Sequence, residues 1–126
     1  MKTLIADQEL VTELVPMADA IEVMRRALIL REAGDVVMPL RTRMELPGAS
    51  GTGMGLMPSY LGGLEAVGVT VVAAVPANFG TECATHQGVV LFFDTERGLL
   101  RAVVDATSVT AIRTAAVSGV AADLLA

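Results

Sequence analysis

Apolar and polar positions along this chain follow two periods, and the change between them separates helical from strand segments. From Met17 to Ala33 the residues Met17, Ala20, Ile21, Met24 and Leu28 recur at helical spacing, with Arg25, Arg26, Arg31 and Glu32 mostly on the other side. Pro16 suits a first helical position and Gly34 a C-terminal cap, so a helix with one solvated face is predicted. A shorter helix is predicted over residues 7–15, with Asp7 as N-cap before Leu10, Val11 and Leu14. Beyond Asp35 the period falls to two: Met38, Leu40, Met44 and Leu46 alternate with Pro39, Arg41, Arg43 and Glu45. That pattern predicts a half-buried strand carrying both arginines on one face, followed by a loop over residues 47–53.

Further strands are predicted at 54–60, 66–75, 88–94 and 99–105, with Thr95-Glu96-Arg97-Gly98 as a short hairpin connection. The 66–75 segment is apolar on both faces, which marks a central strand; Thr70 shares the face of Val72 and Ala74. Asp105-Ala106-Thr107-Ser108 supplies N-cap candidates for a final Ala-rich helix over 107–126. Leu124-Leu125-Ala126 carries none of the residues that usually close a helix, as expected of a chain cut at a domain border. The predicted fold is α+β: a mixed, mostly antiparallel sheet with flanking helices, forming one domain over residues 1–126.

Composition changes this picture in one respect. Apolar residues make up 53% of 126 residues and the mean hydropathy is +0.61, high for so short a chain. The richest run, Val67 to Ala77, is interrupted by Gly68 and Thr70 and falls short of the roughly 18 to 20 residues that span a bilayer. A surface shared with a partner chain or another domain is the alternative expectation. A net charge of −5 and the absence of a basic patch disfavour nucleic-acid binding, and four aromatics offer little base stacking. The start, Met1-Lys2-Thr3-Leu4-Ile5-Ala6-Asp7, lacks the apolar core of a signal peptide, and Cys83 has no disulfide partner, so a cytoplasmic setting is expected.

Few residues carry chemistry. Arg41, Thr85 and Arg113 lie far apart in the chain, yet two guanidiniums and a hydroxyl converging would suit a small carboxylate. Read singly, Arg41, Arg43 and Arg113 are expected to be exposed or paired with Glu45, Asp94 or Asp105. The simplest account of His86, the single imidazole, is a loop residue bonded to backbone. Cys83-x-x-His86 has no second ligand pair, so no metal is expected. No Gly-x-Ser-x-Gly elbow exists. In Gly51-Thr52-Gly53-Met54-Gly55 the sixth position is Leu56, so the run reads as a flexible hairpin rather than a phosphate cradle. The seven methionines read as gap-fillers.

Taken together, Met38-Pro39-Leu40-Arg41-Thr42, Gly55-Leu56-Met57-Pro58-Ser59-Tyr60, Thr85-His86-Gln87-Gly88 and Ala111-Ile112-Arg113-Thr114-Ala115-Ala116 resemble the ornithine cyclodeaminase/mu-crystallin family. The resemblance covers that family's substrate-binding and dimerisation half and implies a homodimer. Members are NAD(P)-dependent enzymes that oxidise an amino acid to an imine, reduce an imine or keto acid, or cyclise the product. By resemblance Arg41 and Arg113 are the carboxylate-binding arginines and Thr85 the substrate-contacting hydroxyl. The family's substrate-binding lysine falls within Gly68-Val69-Thr70-Val71-Val72, where Thr70 supplies only a neutral hydrogen bond. Gly55 stands where ornithine-specific members carry an acid, which points towards ketimine reductases and alanine dehydrogenases. NAD or NADP is implied for a full-length member, bound outside this chain, and no catalytic residue is assigned here. The chain alone is expected to be inactive, holding a small amino-acid, imine or keto-acid ligand. The alternative is a non-catalytic ligand-binding or dimerisation module.

Overall fold

The computed structural model describes residues 2–126. Its strands are β1 (Leu4–Ala6), β2 (Val36–Val37), β3 (Thr42–Glu45), β4 (Gly53–Leu61), β5 (Ala66–Ala74), β6 (His86–Phe93) and β7 (Leu100–Asp105). Its helices are α1 (Gln8–Leu14), α2 (Met17–Glu32) and α3 (Ala106–Leu125). The sheet runs β1-β7-β6-β5-β4-β2, with β3 also paired to β4. Every pairing is antiparallel except β1 with β7, so the sheet is mixed and the fold α+β, as expected.

The apolar strand β5 is flanked by β4 and β6 along its length, in keeping with its two apolar faces. Asp7 caps α1 by accepting the Leu10 N–H at 3.0 Å, and Gly34, at φ +80°, closes α2 in the left-handed conformation open to glycine. Pro16 is the N-cap of α2, one position before the first helical residue.

Two departures from the pattern have clear causes. The strand expected over 38–46 is split into β2 and β3, and residues 38–41 belong to neither. Pro39 has no N–H to give a ladder, and Leu40 is 96% exposed, so alternation here does not report a buried face. β1 was not anticipated: three residues are too short for a period, and the parallel pairing of Leu4, Ile5 and Ala6 with Ala102, Val103 and Val104 is set by the far end of the chain.

Helices α1 and α2 both pack on α3, which in turn covers β5, β6 and β7. At the α2–α3 crossing a side chain at Gly119 would run into Ile21, so glycine sets the close approach. Arg25 pairs with Asp123 at 2.7 Å across the same two helices. α3 is long and apolar enough to cross a bilayer by length and composition; Ala106, Ser108, Ala116 and Val120 are buried against this chain's own elements, while most of the helix, Val117, Leu124 and Leu125 included, is exposed. With the helices gathered on one face, the other face of the sheet presents Leu56 in register with Val71 and Val89, and Tyr60 in register with Val67 and Phe93. Leu56 is 40% exposed there.

Candidate functional site

Strand register builds a low floor beside α3. Gly55 pairs with Arg43 on one side and Val72 on the other, and Val72 pairs with Gly88. Two glycines therefore flank the small Val72 side chain in a single cross-strand row. A Cβ at Gly88 would collide with the Val71 carbonyl oxygen, so β5 and β6 approach closely there, whereas a Cβ at Gly55 would come no nearer than 4.0 Å to the Thr42 carbonyl.

Two adjoining depressions open above this floor. One, of about 220 Å³, lies between Met57, Val72 and Gly88 on the sheet and Thr107, Thr110 and Arg113 on successive turns of α3. The other, of about 140 Å³, is bordered by Arg41, Arg43, Gly55 and Ala74. Met57, Val72 and His86 are walls of both. Arg41 and Arg113, seventy-two positions apart in sequence (113 − 41), thus border neighbouring parts of one surface.

Their electrostatic setting differs from that of Arg43. Arg43 pairs with Glu45 at 3.4 Å and donates to the Gly51 carbonyl at 3.2 Å, so its charge is engaged. Among the described residues neither Arg41 nor Arg113 has a hydrogen bond or ion pair, and no Asp or Glu borders either depression. Guanidiniums left unpaired around an acid-free hollow suit a bidentate anion. Asp105, at the head of α3, is turned inward as its N-cap, accepting from the Ser108 N–H at 2.7 Å and the Ser108 hydroxyl at 2.5 Å. The Ser108 side chain is the main reason its carboxyl is held below the usual range, with backbone N–H groups assisting and burial opposing.

The other two expected ligand residues lie elsewhere. Thr85 borders neither depression; its hydroxyl is 3.1 Å from His86 Nδ1, and its carbonyl accepts the Val75 N–H at 2.8 Å. Thr70 opens into a separate hollow of about 130 Å³ with Ser59, Leu61 and Phe92, although its cross-strand partner is Met57. His86 is the first residue of β6 rather than a loop residue, and its partner is a side chain, not backbone. Sequence reasoning missed Met57, Thr107 and Thr110; the three-residue spacing of Thr107, Thr110 and Arg113 was the available signal.

Among the described residues no three His, Cys, Asp or Glu side chains converge. The Gly51–Gly55 run enters β4 from an antiparallel β3–β4 hairpin, without the helix N-terminus that would hold a pyrophosphate.

Known proteins share this architecture. The chain is 40% identical to mouse (Mus musculus) ketimine reductase mu-crystallin over 92 residues, 73% of this chain and 29% of that protein. It superposes with a TM-score of 0.86 and 32% identity on Thermococcus litoralis Δ1-pyrroline-2-carboxylate reductase, a structure in complex with NADH and L-proline, covering 93% of this chain and 36% of that one. It matches an archaeal alanine dehydrogenase dimer with bound NAD at a TM-score of 0.85 and 30% identity, covering 94% and 36% respectively. This chain therefore spans about a third of the length of each. The ornithine cyclodeaminase/mu-crystallin family model matches residues 1–126, and the chain belongs to that family.

Proposed function

We propose that this chain is the substrate-binding part of an NAD(P)-dependent amino-acid dehydrogenase, ketimine reductase or cyclodeaminase, and that it holds the carboxylate of a small amino, imino or keto acid between Arg41 and Arg113. The observation that carries this reading is the pair of unpartnered guanidiniums on adjoining, acid-free depressions. A ligand spanning them exchanges water for charge-assisted hydrogen bonds and is oriented by two forks of fixed geometry. The hollows, of about 220 and 140 Å³, suit a ligand of a few heavy atoms. A nicotinamide would supply the hydride chemistry when bound, and the part of this chain is to orient the acid.

Two chains are proposed to associate through the uncovered sheet face of Leu56, Val71 and Val89, which supplies the apolar surface a dimer buries. Sedimentation velocity should show a dimer that Leu56→Asp dissociates; a persistent dimer would place the contact elsewhere. For ligand binding, calorimetry with pyruvate and L-proline should give a signal that Arg113→Ala weakens by roughly hundredfold. An unchanged affinity in that variant would remove the assignment.

A second reading, a ligand-binding module without turnover, is favoured by Thr70, which the family resemblance sets at the position of a substrate-binding lysine and which lines a hollow that neither Arg41 nor Arg113 borders. Imine or keto-acid reduction by a protein extending past Ala126, given NADPH or NADH, separates the two.

A further inference from the structure

Thr85 and His86 are adjacent in sequence, and only one of them reaches the candidate site. His86 walls both depressions, while Thr85 walls neither and spends its hydroxyl on His86 Nδ1 at 3.1 Å. Resting on the reading that Arg41 and Arg113 hold a carboxylate, we propose that the hydrogen-bonding group offered to that carboxylate besides the arginines is His86 Nε2–H, and that Thr85 is a positioning residue acting through the imidazole.

The chemistry follows from the tautomers. When the Thr85 hydroxyl donates to Nδ1, the neutral ring carries its proton on Nε2, which becomes a donor at the far edge of the ring. When the ring is protonated, Nδ1–H donates to the Thr85 oxygen and Nε2–H remains a donor. Both states present N–H to an anion. The remaining neutral tautomer would set a lone pair against the carboxylate and leave Arg41 and Arg113 to bind it alone. Neighbouring contacts hold the pair in place. The Thr85 carbonyl is tied to Val75 N–H at 2.8 Å, and His86 is in register with Ala74 at the end of the β5–β6 ladder. Beside it on the same face, Gly88 has no side chain to fill the hollow. The charged side chains bordering the same depressions are Arg41, Arg43 and Arg113, and no carboxylate competes for Nε2–H.

The test uses the full chain and pyruvate, with L-proline as second probe. His86 is the single histidine, so ring nitrogen resonances need no assignment. With the ring neutral, NMR should show the proton on Nε2 and a shift of that nitrogen on adding pyruvate. Thr85→Val should mix the tautomers and weaken pyruvate binding about tenfold, and Thr85→Ser should restore both. His86→Ala should cost about as much, and adding Thr85→Val to it should cost nothing further. A Thr85→Val loss that persists undiminished in the His86→Ala background makes Thr85 the direct ligand and overturns the proposal. So does unchanged affinity in His86→Ala, or a neutral ring protonated on Nδ1. Wild-type chain that binds neither probe, or binding indifferent to Arg113→Ala, overturns the site itself. Arginine-dependent binding indifferent to His86 overturns this inference alone.

Discussion

The two ends of the sheet each carry a hollow with arginines, and the larger is the poorer candidate. At the hairpin end a cavity of about 550 Å³ is bordered by Glu65, Asp94, Glu96, Arg97 and Arg101, so acids outnumber bases. Asp94 is already committed, accepting from the N–H groups of Arg97 and Gly98 to close the β6–β7 turn. At the opposite end the hollows are smaller, of about 220 and 140 Å³, and their bordering charges are all basic. Size reports how strands splay, whereas unbalanced charge reports what a guest must supply.

The most decisive way to break this contrast is to remove its charges. Arg113→Ala or Arg41→Ala should lower affinity for pyruvate by roughly hundredfold, the scale of one charge-assisted contact at about 2–3 kcal/mol. Arg97→Ala at the hairpin end should leave it unchanged. Equal losses at both ends, measured by calorimetry, would mean that net charge rather than a site is responsible.

A subtler change imports the hairpin end's balance. Thr110 is exposed on α3 one turn before Arg113, so Thr110→Glu should place a carboxylate within reach of that guanidinium without disturbing the helix. Affinity should fall about tenfold and recover partly in high salt, which screens exposed charges. Unaltered affinity would show that Arg113 does not meet the ligand.

How much of this was legible in the sequence depends on the range of the interaction that decides each feature. α2 was legible because its period, Pro16 and Gly34 all act within a turn or two. β5 was legible because apolar residues on both faces leave few other placements. β1 was not, since its partner lies about a hundred residues away. The stretch around Arg41 misled because Pro39 and exposed Leu40 fall into alternation by chance. Within the candidate site, Arg41 and Arg113 were legible as residue types and Glu45 as a partner for one of the arginines, but that it engages Arg43 and leaves Arg41 unpaired is visible only in the fold, where Arg43 also reaches the Gly51 carbonyl. The Gly55–Val72–Gly88 row exists only through strand register, which no local pattern records.

That row can be sharpened from both sides. Gly88→Ala must push a methyl into the Val71 carbonyl, so the cost should be about 1–3 kcal/mol and the melting temperature should drop by several degrees. Gly55→Ala has room, and its melting temperature should hold. If both variants melt alike, the floor is not set by close approach of β5 and β6.

The smallest effect concerns the acid that stays out of the site. Asp105 keeps its charge turned into the first turn of α3, where Ser108 holds its carboxyl below the usual range. A carboxyl lowered in the folded state stabilises the fold fully above its unfolded value, about 3.9 for aspartate, and that contribution disappears as pH falls through the lower folded value. Asparagine also caps helices well, so Asp105→Asn should cost no more than about 1 kcal/mol near neutrality. It should also flatten the loss of melting temperature below about pH 4, because the titrating group is gone. Ser108→Ala should lower stability at neutral pH and bring the Asp105 titration back towards the ordinary range. An acid limb that is as steep in Asp105→Asn as in the parent chain would assign it to other carboxylates. The inward-turned cap would then be structurally present but thermodynamically silent, keeping the carboxylate out of the arginine end without adding measurably to stability.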